Sequence, residues 1–145
     1  MPRSQPPPEM SGRFACAFDL ALLAGCANCS LAEQTPVGER IVVFCRNRDN
    51  AESCQSWFAR LRQNAGFALP ALRGSRPMTH GQAMRLRCGG LRGLASQIDG
   101  RSDGELPGDV AALVARLPSN SESIAWERVV RSIAAWRPPA RRTRN

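Results

Sequence analysis

Between Asp49 and Ala65 the chain places apolar residues at a helical interval: Cys54, Trp57, Phe58, Leu61 and Ala65 fall at i, i+3, i+4, i+7 and i+11. A strand does not accommodate that spacing. The segment therefore has to be an amphipathic helix that buries one face and leaves Arg60, Arg62 and Gln63 in water. Asp49-Asn50-Ala51-Glu52 has the form of a capping box and predicts its start. Just before it, RIVVFC (Arg40 to Cys45) is a β-branched and aromatic run that predicts one short buried strand. A long helix over a short β element makes the expected fold class α+β, predominantly helical, with a Cys-rich N-terminal half.

The rest of the pattern supports that class. From Phe14 to Gly25 the apolar residues are almost continuous, with Phe14, Phe18 and Leu22 at helical spacing. The expectation is a buried helix, ended by Gly25, that delivers Cys26 at its C-terminus. SLAEQTPVGE and ALRGSRPMTHG read as loops. Residues 83–98 fit two descriptions: MRLRC alternates as a strand does, whereas Met84, Cys88, Leu91, Ala95 and Ile98 fit a helix running through Gly89-Gly90. Asp109 predicts a cap for a short helix with Val110, Leu113, Val114 and Leu117 inward. Ser119 and Glu122 predict a second capping box, for a last helix with Trp126, Val129, Val130, Ile133 and Trp136 on its apolar side. At 145 residues and 43% apolar content the chain suits one core rather than two. The expected organisation is a Pro-rich arm over 1–12, a single globular domain over 13–137 and a basic tail over 138–145.

Charge is unevenly spread. All 20 basic residues are Arg, and Tyr is absent. Residues 40–92 hold ten Arg against Asp49 and Glu52, whereas residues 93–136 hold four Arg against six acids. The Arg-rich segment 40–92 suits an acidic protein partner, with nucleic acid as the rival. Trp57, Phe58, Trp126 and Trp136 all lie on apolar helix faces, so exposed aromatics to stack bases are not expected.

Six cysteines, at 16, 26, 29, 45, 54 and 88, carry the strongest chemical signal. Their even number admits a disulfide framework, but the segments holding them are apolar enough to build a core without staples, and reduced thiols are expected. Cys26, Cys29, Cys45 and Cys54 then have the spacing C-x2-C-x15-C-x8-C and form the predicted metal site, with Cys88 as a reserve ligand because Gly89 and Gly90 free the backbone beside it. Cys16 is assigned to the core. The order Cys pair, strand, turn, helix-borne Cys resembles the treble-clef layout of zinc domains in outline only, because the treble clef draws its last two ligands together from the helix start. The irregular spacing favours an iron-sulfur cluster slightly over zinc. Cys54, about one turn into its helix, is expected to have a lowered pKa from the helix dipole.

Other motifs carry less. Cys54 to Arg60 matches C-x5-R, but a phosphate-wrapping loop has to be open and this segment is patterned as a helix. Cys88-Gly-Gly-Leu-Arg-Gly fits neither dinucleotide nor P-loop consensus. His80 is the only histidine and is expected to be exposed; Asp99, Asp103 and Glu105 sit in a polar loop. No complete catalytic constellation emerges. Leu23-Ala24-Gly25-Cys26 matches the lipoprotein processing signature, which makes a lipoprotein anchored through Cys26 an alternative. Asp19 interrupts the apolar run before it, at about 2.5–3.5 kcal/mol on an insertion scale. The expectation is a cytoplasmic protein that acts as a small accessory, electron-transfer or assembly factor, the rival being a basic nucleic-acid-binding module with a structural zinc.

Overall fold

A computed structural model describes residues 12–74, 76–99 and 108–138. The expected arm before Gly12 and the tail after Pro138 lie outside the described residues, as do Asp103, Glu105 and the side chain of Asp99. The fold is mixed α+β and mostly helical, with one three-stranded antiparallel sheet.

The run RIVVFC is the central strand of that sheet, β3 (Arg40–Cys45), as its β-branched composition predicts. Its partners lie in segments with weaker signals. β1 (Phe14–Ala15) pairs Phe14 with Cys45, and β2 (Ala32–Val37) pairs Ala32 with Cys45 and Val37 with Arg40. The stretch expected to be a polar loop therefore holds an edge strand. Its Pro36 is tolerated because an edge strand has one side unpaired, and the two-residue turn Gly38-Glu39 starts with a glycine at φ +64°, as a tight hairpin requires.

The single buried helix expected from Phe14 to Gly25 is divided in two. Phe14 and Ala15 join the sheet, and only α1 (Asp19–Leu23) is helical. Gly25 ends it as expected, at φ +80°. α2 (Arg48–Ala68) buries Cys54, Trp57, Leu61 and Ala65 on one face. Its start differs from expectation. Asn47 is the N-cap and accepts from the Asn50 N–H at 2.8 Å, so Asp49 lies inside the first turn and supplies negative charge there rather than a cap.

Residues 80–99 are helical throughout. α3 (His80–Met84) begins with a capping box of Thr79 and Gln82, passes through one π turn over Arg85–Gly89, and continues as α4 (Gly90–Asp99). The strand description of MRLRC is thereby excluded, and close packing explains why glycines stand inside the helix. A Cβ on Gly89 would stand 2.6 Å from the Ile133 Cα, one on Gly90 2.9 Å from the Leu61 Cδ1, and one on Gly93 2.9 Å from the Val129 Cα. Cys88-Gly-Gly-Leu-Arg-Gly is thus a packing seam in which α4 meets α6 (Trp126–Ala135) almost backbone to backbone. Ser132 Oγ donates to the Gly89 carbonyl across it at 3.0 Å.

α5 (Val110–Arg116) is capped by Asp109, whose carboxylate accepts from Ala111 N–H at 3.1 Å. The Ser119/Glu122 box does not form. Asn120 instead caps a short 3₁₀ turn over Ser121–Ser123, and α6 starts later, at Trp126. Buried residues from α1, α2, α4, α5 and α6 form one cluster around Phe18, Leu61, Leu86, Leu91, Leu94 and Ile133.

Gly89→Ala should force the α6 backbone away and destabilise the fold by about 1–3 kcal/mol, because overpacking a close backbone contact has no side chain to absorb it. A urea melt tests this. An unchanged midpoint would mean that the seam is looser than 2.6 Å implies.

Candidate functional site

Four cysteines from four different parts of the fold line one small pocket: Cys16 just after β1, Cys29 in the loop after α1, Cys45 at the end of β3 and Cys54 in α2. Three of them belong to the set read from the spacing. The fourth of that set, Cys26, is elsewhere, and Cys16 takes its place. Cys26 faces the helical core, where it is 7% exposed and shares the buried cluster with Cys88, itself 2% exposed. The reserve residue Cys88 is therefore also absent from the pocket.

Local structure explains the exchange. A C-x2-C pair points both sulfurs one way only if a tight turn carries them. Here Gly25 at φ +80° ends α1, Cys26 N–H donates to the Ala21 carbonyl at 2.9 Å and the Cys26 side chain packs inward. By Cys29 the chain has turned to meet α5. Val110 N–H donates to the Asn28 carbonyl at 2.8 Å, and Ser30 N–H to Asp109 Oδ1 at 2.9 Å. Burial acts to raise the Asp109 carboxyl pKa, but N–H donors from Ser30 and Ala111 outweigh it and hold the group below its usual range. Cys16 arrives because β1 pairs beside Cys45. It is then fixed through the next residue, whose carbonyl accepts from Arg87 Nε at 2.9 Å; Arg87 lies 3.7 Å from the Asp19 carboxylate and stacks on Phe58.

The rest of the lining is apolar, from Ala17, Leu22, Ala32, Ala51 and Val110, apart from Asn50. The Asn50 amide reaches two sulfurs, donating to Cys45 at 3.5 Å and Cys54 at 3.8 Å, while the Cys45 thiol donates to the Asn47 carbonyl at 3.3 Å. The enclosed space is about 10 Å³, room for roughly one water. Among the described residues, no three His, Cys, Asp or Glu side chains are grouped so as to hold a metal ion.

Burial governs the thiol chemistry. Desolvation raises the Cys16 pKa from 9.0 to about 11 and that of Cys54 to about 12, each reinforced by the neighbouring thiols; Cys29 is raised as well, mainly by burial. The expectation of a lowered Cys54 pKa is thus reversed. α2 begins at Arg48 rather than after Asp49, so Cys54 lies beyond the first turn, where the dipole fades and desolvation dominates. Neutral thiols of this kind are poor nucleophiles at pH 7. His80, at the first position of α3, is exposed and distant from them in the chain.

Sequence reasoning passed over Cys16 because Phe14, Phe18 and Leu22 suggested a helix. The strand that brings Cys16 beside Cys45 is only Phe14–Ala15, too short to leave a periodic signal. Comparisons with protein families, characterised proteins and solved structures find no match to the chain. Among the described residues no helix is long and apolar enough to cross a membrane.

With no Lys and no Tyr in the chain, thiols are the side chains that titrate between about pH 9 and 12. Cys16 and Cys54 ionise near 9.0 when unfolded but near 11 and 12 when folded, so the unfolded state loses protons first. The thiol contribution to the stability of the metal-free protein should be full below about pH 9 and be lost as pH rises through that window, with a shallower fall in Cys54→Ala, whereas the lowered Asp109 pKa removes stability only at acid pH. Denaturation midpoints in reducing buffer measure this; a flat profile from pH 9 to 11 would contradict the desolvated pocket.

Proposed function

We propose that the pocket of Cys16, Cys29, Cys45 and Cys54 binds an iron-sulfur cluster and that the protein is a small electron-transfer or cluster-assembly factor working where thiols stay reduced. The observation that carries this reading is the convergence of four thiols from four separate elements on one apolar pocket, with an amide donor between two of them.

Cluster chemistry fits the donor set better than a single zinc ion does. Zinc holds each thiolate at about 2.3 Å, which draws the sulfurs within about 3.8 Å of one another. The thiols here do not close on a common point in that way. A cluster carries its four thiolates at the corners of a larger body, and hydrogen bonds to sulfur together with solvent exclusion set its potential. Asn50 supplies such a donor. The rim carries positive charge to offset an anionic cluster: Arg46 donates to the Ser30 carbonyl next to Cys29, and Arg48 stacks on Phe14 near Cys16. The raised thiol pKa values are no obstacle, since iron displaces the thiol protons on binding. A cavity of about 10 Å³ has to widen for loading, and the half-exposed wall of Cys16, Leu22 and Cys29 is the side that can part.

Anaerobic reconstitution with ferrous iron and sulfide should give a brown protein with broad visible absorption and bound iron and sulfide. Cys29→Ser and Cys54→Ser should lose most of the colour. Cys26→Ser, which the spacing alone would have placed among the ligands, should keep it. Zinc bound without iron would favour the structural-zinc reading, and a protein that takes up neither metal would end the proposal.

A further inference from the structure

Between Glu52 and Asp99 the sequence has seven Arg and no acidic residue. The structure gathers part of that charge around an aromatic ring at the far end of α2 from Asn47. Phe67 lies off the buried stripe of α2 and is 75% exposed, the one strongly exposed aromatic among the described residues. It lines a concave cavity of about 430 Å³ together with Arg62, Gln63 and Arg73, and no carboxylate lines that space. The volume falls within the range of ligand-binding clefts.

The cavity is shaped by a close return of the chain. A Cβ on Gly66 would stand 3.2 Å from the Arg73 Cα, and Arg73 Nε donates to the Gly66 carbonyl at 3.1 Å, so the segment after Leu72 packs against the helix and leaves the space beyond. Arg62 is held from the other side, with Nη2 donating to the Arg76 carbonyl at 2.5 Å. Both guanidinium groups are thus positioned by backbone carbonyls, neither makes an ion pair among the described residues, and the buried Nε of Arg62 has no hydrogen-bond partner. Two fixed, unneutralised guanidinium groups beside an exposed ring suit a carboxylate carried by an apolar segment.

We infer that this cavity is a docking site for an acidic segment of a partner protein, with a carboxylate seated between Arg62 and Arg73 and an apolar side chain resting on Phe67. Arg and aromatic anchors of this kind dominate the binding energy of protein interfaces. A single-stranded nucleic acid is the weaker occupant. It needs a groove that tracks the backbone past several exposed rings, whereas Trp57 and Trp136 are buried here and Phe58 is covered by Arg87. The site lies on the opposite stretch of α2 from Cys54 and does not depend on whether a cluster is bound.

A fluorescein-labelled peptide of alternating Glu and Leu provides the probe, read by anisotropy against the full chain. Saturable binding that weakens with salt is expected, about tenfold weaker in Phe67→Ala and in Arg62→Gln. Arg128→Gln, which removes the same charge from an exposed position on α6, should change it less than about twofold. Phe67 is exposed, so its replacement leaves the fold intact, and an unchanged thermal transition confirms this. Absence of saturable binding, equal affinity in Phe67→Ala, or Phe67-dependent binding of oligothymidylate in preference to the peptide would each overturn the inference.

Discussion

The close contact of Gly89, Gly90 and Gly93 with α6 and Leu61 is the constraint on which the rest of the molecule rests. Two side-chain-free positions, Gly89 and Gly93, let the helix approach α6 at backbone distance, and Gly90 makes room for Leu61, so α2, α4 and α6 become one block. α2 matters most among these, because its first half turns toward the sheet and carries Cys54 while its second half carries Arg62 and Phe67. Both proposed sites are therefore set by the orientation of one helix, and that orientation is fixed by glycines that line neither of them.

At the sheet, β3 organises the thiols. It pairs with β1 on one side and β2 on the other, ends in Cys45, and passes through Arg46 and the Asn47 cap directly into α2. Cys45 and Cys54 are thereby tied by a rigid strand-to-helix junction with Asn50 between them. Cys16 and Cys29 come from thinner supports: a two-residue strand, and a loop held by Asp109. The pocket has one stiff wall and one yielding wall.

How much of this was legible follows from how each residue gains its stability. α2, β3, α5 and the apolar face of α6 were readable because their patterns are local: periodicity, β-branching and the cap at Asp109 act within a few residues. β2 was not, because Ala32 to Val37 is polar and takes its structure from pairing with β3 rather than from its own composition. The N-cap of α2 moved by two residues because Asn47 and Asp49 are both good caps and the strand-to-helix junction selects the earlier one. Of the proposed pocket, Cys29, Cys45 and Cys54 came from spacing. Cys16 and Cys26 exchanged roles because a C-x2-C pattern says nothing about which way a helix end will turn its side chains.

The attachment of the Cys29 loop to Asp109 and Val110 has a consequence for the order in which the molecule is made. All four thiols of the pocket leave the ribosome before the residues that pin that loop, which follow some eighty positions after Cys29 in the chain. During synthesis the wall holding Cys29 therefore has only its ties to Arg46 and the sheet, through the Ser30 and Leu31 carbonyls and the pairing of Ala32 with Cys45, until its second attachment is made. Arrival of α5 adds the bonds from Val110 to Asn28 and from Ser30 to Asp109, so the C-terminal half of the protein completes the fixing of a loop whose cysteine belongs to the N-terminal half.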